Sequence, residues 1–264
     1  MTDLLQLRHN SAHPIFRVEL EQAAFNHGYR KSNGVADGWL YFKSNEGIPG
    51  EVALSSGTGD DGSPWFLAVE HVGAAVQMRE EFPTAILSNA PGSFHSAFAF
   101  GTQAEMRGVL SRCFHLSRSL PTFPLSQYEA ETRSIGDTEA ERLQKQRIGQ
   151  DIFRKALLDY WGGCCPLTGI REPKVLRASH IVPWAQCQSD HQRLDVFNGL
   201  LLSAHWDAVF DAGLISFSDD GDVLMKADLD QALAELLTSG KTYALKLEPQ
   251  HLAYLSEHRL IHGF

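Results

Sequence analysis

"LRASHIVPWA", Leu176 to Ala185, is the stretch on which the reading of this chain turns. It begins as an apolar, strand-like run, carries a histidine, and stops at a proline and a tryptophan. Side chains alternate along a strand, so Ala178 and His180 share one face and Ser179 and Ile181 the other. Standing alone, such a histidine would read as a core residue. Its surroundings argue for chemistry. Asn198 follows eighteen residues later, just before the apolar run "GLLLS" (199–203), and Asp207 comes nine residues after that. Asp211 lies one turn beyond Asp207 on the same face of a short helix over 204–212 that Gly213 closes.

Reading outward, the pattern predicts strands at 175–182 and 199–203 with a long loop between them. A hairpin, "LISFSDDGDVLM", follows with its turn at Asp220-Gly221. A helix over 228–239, capped by Asp228 and ended by Gly240, and a last helix near 249–259 complete this half. Upstream, "ERLQKQRIGQDIFRKALLDYW" reads as a helix with Ile148, Ile152, Ala156 and Leu157 on one face. Arg147, Gln150 and Arg154 share another face, by spacing alone a solvated helix surface.

The first half differs in character. A helix over 14–28 precedes three strand-like runs, "GWLYFKS" (38–44), "GEVALSS" (50–56) and "PWFLAVE" (64–70), separated by "NEGIPG" and "GTGDDGSP". A long helix then runs from about Ala104 to Leu120. The aromatic strand residues Trp39, Tyr41, Phe42, Trp65 and Phe66 read as a sheet core. The expected organisation is an α+β domain over 1–125, a polar linker and helix start over 126–145, and a second domain over 146–264.

Composition bounds the function. The 264 residues, 43% hydrophobic and 21% charged, are those of an ordinary globular protein. No run has the length of a membrane helix, and "MTDLLQLRHNSAH" lacks a signal core, so a cytoplasmic protein is expected. Cys113, Cys164, Cys165 and Cys187 form no CxxC pair, so no structural zinc is expected. The net charge of −9 opposes a general grip on nucleic acid. It is unevenly spread, however. Residues 146–195 hold seven basic and five acidic side chains, whereas 1–145 hold twelve and seventeen and 196–264 hold four and ten.

The blocks "CCPLTGI", "RASHIVPW", "RLDVFNGLLLS" and "HWDAVFDAGLISF", in this order, resemble those of the HNH endonucleases, and in particular a bacterial subgroup. The upstream helix belongs to the same pattern, so the resemblance spans roughly the last 115 residues. It implies a ββα-metal domain at the C-terminus that hydrolyses DNA phosphodiester bonds with one divalent ion, Mg²⁺ or Mn²⁺. By that resemblance His180 is the base, oriented through its other ring nitrogen by a backbone carbonyl. Asn198 holds the loop, and Asp207 is a metal ligand that Asp211 can join. HNH proteins often have Asp or His before the base. Here Ser179 stands at that metal position, a weak ligand, which turns attention to Asp211 or His205 to complete the site. Arg177 and Arg154 are candidate phosphate clamps, with Arg147 and Gln150 as further DNA contacts.

Trp184 reads as a loop anchor and Cys165 as packing. DNA is the expected partner, a homodimer is compatible with the chain, and no membrane partner is expected. Two other readings stand beside the nuclease: a catalytically silent HNH-shaped DNA-binding or regulatory module, and a ribonuclease. For residues 1–125 no motif assigns a role. By analogy with HNH proteins of restriction systems, this domain is expected to select particular or modified DNA, with binding of a partner protein or control of dimerisation as equal alternatives.

Overall fold

A computed structural model describes residues 14–57, 64–87, 90–238 and 243–264. Most of the expected turn at 57–64 and the expected helix stop at Gly240 lie outside these residues, as does the N-terminal stretch 1–13. The fold is α+β. It divides into two compact units, Met1–Phe123 and Pro124–Phe264.

The first unit packs helices on one antiparallel sheet. Helix α1 (Pro14–Asn26) leads into β1 (Lys31–Ala36), β2 (Trp39–Lys43), β3 (Val52–Ser56) and β4 (Trp65–Val69). Helix α2 (Val72–Glu81), β5 (Ile86–Leu87), β6 (Ser96–Phe100) and α3 (Gln103–Ser119) follow, and the strand order is β1-β2-β3-β4-β6-β5. The pairings Leu54↔Leu67 and Leu67↔Phe98 set one row of large apolar side chains across the centre, and Ala53↔Ala68 and Ala68↔Ala97 set a row of small ones beside it. This alternation gives each face a uniform character. The three strands read from sequence are β2, β3 and β4. Strand β1, "KSNGVA", is exposed along its whole length and pairs only with β2, so no apolar alternation announces it. Helix α3 starts with a reciprocal cap between Thr102 and Glu105.

The second unit begins with α4 (Thr122–Thr132) and α5 (Glu139–Tyr160). The polar stretch 126–145, expected as a linker entering a helix, is therefore helical for most of its length. Tyr128 and Pro124 bury one side of α4, and Thr138 caps α5 with Glu141. Next come β7 (Leu176–His180), α6 (Asp190–Leu194), β8 (Gly199–Ser203) and α7 (Ala204–Asp211). Strands β7 and β8 form a two-stranded antiparallel hairpin with His180 opposite Gly199 and Leu176 opposite Ser203. Strand β8 is buried throughout. Helices α5 and α7 both pack on the hairpin. Helix α7 buries Trp206, Val209 and Phe210, each large side chain contributing about 1.5–3 kcal/mol when removed from water.

Strands β9 (Ile215–Phe217) and β10 (Val223–Met225) form the second hairpin. Helix α8 (Gln231–Thr238) and helix α9 (Pro249–His262) close the chain. Helix α8 starts at Gln231, not near Asp228. The carboxylate of Asp230 accepts the Leu233 N–H at 3.0 Å, so the second aspartate of "ADLD" supplies the cap. Among the described residues no helix is long and apolar enough to cross a membrane.

Candidate active site

Strand β7 delivers Ser179 and His180 to an open cleft of about 340 Å³ whose lining also includes Trp184, Asp211, His258 and His262. His180 ends the strand, so its ring is positioned by what surrounds it. Nε2 donates to the Arg193 carbonyl at 2.9 Å, which leaves Nδ1 as the acceptor of the neutral ring. One face of the imidazole stacks on Phe153 of α5, with centroids 3.8 Å apart and planes at 16°. Trp184 meets it edge-on at 5.6 Å. Burial outweighs the Arg193 hydrogen bond and pushes His180 down to about 4, so the ring is neutral at pH 7 and holds a free lone pair.

The carbonyl that orients His180 sits on a stapled loop. The Arg193 guanidinium donates to the Trp184 carbonyl at 3.3 Å, the Cys187 carbonyl at 2.8 Å and Asp190 at 2.8 Å. It also lies over the Trp184 ring. Asn198 is fully buried and spans the same loop. Its Oδ1 accepts the Val182 N–H at 2.8 Å, and its Nδ2 donates to the Gln192 carbonyl at 3.1 Å. Asn198 thus holds the backbone that holds the histidine. Trp184 in turn needs Gly149 on α5, where a Cβ would stand 2.3 Å from Trp184 Cη2.

Two carboxylates lie near the strand end, Asp207 at Ser179 and Asp211 in the cleft lining. Ser179, nearly fully buried, donates its hydroxyl to Asp207 Oδ1. Its proton is committed to orienting that carboxylate. Asp211 opens to solvent at the cleft, and partial burial together with neighbouring Asp207 pushes it up to about 6. Among the described residues, no three His, Cys, Asp or Glu side chains converge on one point as a metal cluster. A pair of carboxylates nevertheless suits a hard ion that keeps most of its own water, as Mg²⁺ does.

Other expected residues lie elsewhere. His205 is exposed, with Nδ1 3.5 Å from Ser203 Oγ, and does not line the cleft. Arg154 donates to the Leu176 and Pro173 carbonyls at 2.9 and 2.8 Å, and Arg177 to those of Lys174 and Leu176 at 3.0 and 3.2 Å. Both guanidinium groups brace the entry to β7. Arg147 and Gln150 are exposed on α5.

A hairpin bearing a histidine, a buried asparagine before its second strand, and an aspartate-bearing helix after it together form a ββα unit. Residues 165–218, which contain all of these, match the family model described as HNH endonuclease. The C-terminal unit carries an HNH endonuclease domain. No curated protein matches the chain.

Sequence reading missed several parts of the HNH site. No local pattern marks Phe153 among the apolar residues of α5, or Arg193 among the loop charges, as a neighbour of His180. Asp195 was also passed over. It is buried, accepts the Phe197 N–H and the Tyr254 hydroxyl, both at 2.9 Å, and so ties α9 to the loop. His258 and His262 carried one readable signal. With His251 they recur at intervals of seven and four residues, which keeps them on one side of a helix.

Proposed function

We propose that this protein is a metal-dependent DNA endonuclease in which His180 is the general base. The observation that supports this reading is the polarity of the His180 ring. Its Nε2–H is tied to the Arg193 carbonyl, which leaves Nδ1 unprotonated, and the residue lines a cleft together with Asp211.

In the proposed reaction a water oxygen forms a bond to phosphorus while the bond to the 3′ oxygen breaks. His180 Nδ1 takes the water proton, and the developing imidazolium is stabilised by its Nε2–H···O hydrogen bond to Arg193. Phe153 on one face and Trp184 at the edge limit the rotation of the ring. A divalent ion, held by Asp207 and Asp211 with water in its remaining positions, would neutralise charge on the phosphate and on the leaving oxygen. Ser179 presents Asp207 for that role. Arg147 and Gln150 are proposed DNA contacts along α5, and residues 1–125 are proposed to select particular or modified DNA, as in a restriction system.

The test uses the full chain with plasmid, modified duplex and RNA substrates, in Mg²⁺ or Mn²⁺ and again in EDTA. Metal-dependent nicking of DNA that falls about 10²–10⁴-fold in His180→Ala is expected from loss of a general base. DNA binding without cleavage under every condition would replace this reading with a catalytically silent module. Ser179, a neutral hydroxyl at the position where HNH proteins often carry Asp or His, favours that second reading. Cleavage of RNA alone would make the protein a ribonuclease.

A further inference from the structure

The matched HNH segment ends at residue 218, yet the cleft beside His180 is completed by α9, the last helix of the chain. We propose that His262 is a phosphate contact of this cleft, donating an imidazole N–H to a phosphodiester oxygen of bound DNA. This rests on the nuclease reading above and adds to it a residue from outside the matched segment.

The two histidines that α9 places in the cleft are in different states. His258 is almost fully buried, with Nδ1 3.0 Å from the Ser216 hydroxyl and Nε2 3.4 Å from the Phe210 carbonyl. Its ring also lies flat on Phe210, with centroids 4.1 Å apart and planes at 4°. Both nitrogens are engaged, so His258 is a fixed part of the wall. His262, one turn later, packs against His258 at 4.5 Å and stays partly open to solvent. Neither of its ring nitrogens has a hydrogen-bond partner among the described residues. With Nδ1 packed over Gly213, the donor that His262 can offer to the cleft is an Nε2–H, which no group among the described residues uses.

The ring is held in place. Gly213, in the left-handed region at φ +65° after α7, makes room for it, since a Cβ there would stand 2.0 Å from His262 Nδ1. The helix end is fastened from the second hairpin. Arg259 donates to the Phe217 carbonyl and to Asp219, both at 2.6 Å, and Lys226 donates to the carbonyls of His262 and Gly263. A donor fixed by this many contacts, in a cleft that Asp211 alone lines with a carboxylate among the described residues, suits a fixed anionic oxygen.

The experiment measures duplex binding by fluorescence anisotropy in EDTA and in Mn²⁺, with the full chain carrying His180→Ala so that DNA stays intact. Cleavage is measured separately in chains with native His180. His262→Ala is expected to weaken duplex binding by about ten-fold or more, the size of one lost hydrogen bond to a charged group, and to lower cleavage at least as much. His262→Gln, which keeps an N–H donor, is expected to recover part of both. Unchanged melting temperatures separate this from loss of fold. The inference is overturned if His262→Ala binds and cuts within about two-fold of its parent, the limit of such comparisons. It is overturned equally if the variant loses Mn²⁺ affinity and keeps duplex affinity, or if the parent binds no duplex. If the native chain cuts nothing but His262→Ala still weakens binding, the nuclease reading fails and the phosphate contact stands.

Discussion

Replacing Asn198 with alanine removes the side chain that crosses the loop between β7 and β8. The buried Val182 N–H, bonded at 2.8 Å, and the half-buried Gln192 carbonyl, bonded at 3.1 Å, then lose their Asn198 partner. An unsatisfied buried group costs about 1–3 kcal/mol, so the pair amounts to about 4 kcal/mol. With a urea m-value of about 2 kcal/mol/M, the midpoint for the second unit should fall by about 2 M. Hydrogen exchange provides the local check, because the Val182 amide depends on Asn198 Oδ1 for its protection. Activity should fall further than stability, since the same loop carries the Arg193 carbonyl that orients His180. Assays are therefore run in the cold, where the variant is folded. A midpoint within about 0.3 M of wild type with a still-protected Val182 amide would refute the accounting.

Gly149→Ala should push the Trp184 indole away from α5 and release one side of His180, costing about 1–3 kcal/mol of stability and most of the cleavage rate. Wild-type activity in a folded Gly149→Ala chain would show that Trp184 does not position the base. Asp211→Asn removes a carboxylate repelled by Asp207, so in EDTA at pH 8 the variant should melt at or slightly above wild type, by up to about 1 kcal/mol at this exposed site. Its metal-supported cleavage should fall, and a lower melting point in EDTA would contradict the repulsion. His251 is fully buried, accepts the Glu248 N–H at Nδ1 and is pushed down to about 4 by burial, so it stays neutral in the fold. The unfolded chain takes up this proton near pH 6.5, so the stability His251 contributes is complete above pH 6.5 and is lost as the pH falls toward 4. Against a His251→Asn chain, wild type should lose up to about 1.4 kcal/mol per pH unit over that window, measured by urea unfolding, and parallel curves would refute the assignment.

Much of this protein could be read without coordinates, for a physical reason. Strand β8 is apolar at nearly every position because both of its faces are buried. Helix α7 ends at a glycine that tolerates positive φ, and the order of His180, Asn198 and Asp207 follows the order of the strand, turn and helix that carry them. Local patterns of this kind depend on near neighbours in the chain. The tertiary structure decided the rest. The pairing of Arg193 with His180 spans thirteen residues of irregular loop, and Phe153 reaches the same ring from a helix more than twenty residues earlier. Arg154 carries a charge that suggests phosphate, but two of its donors go to the Leu176 and Pro173 carbonyls, which only the folded chain brings near. The regular spacing of His251, His258 and His262 showed a helix face without showing what it would meet. Packing against the second hairpin set His262 beside a cleft built mainly by another part of the chain, and no local pattern carries that information.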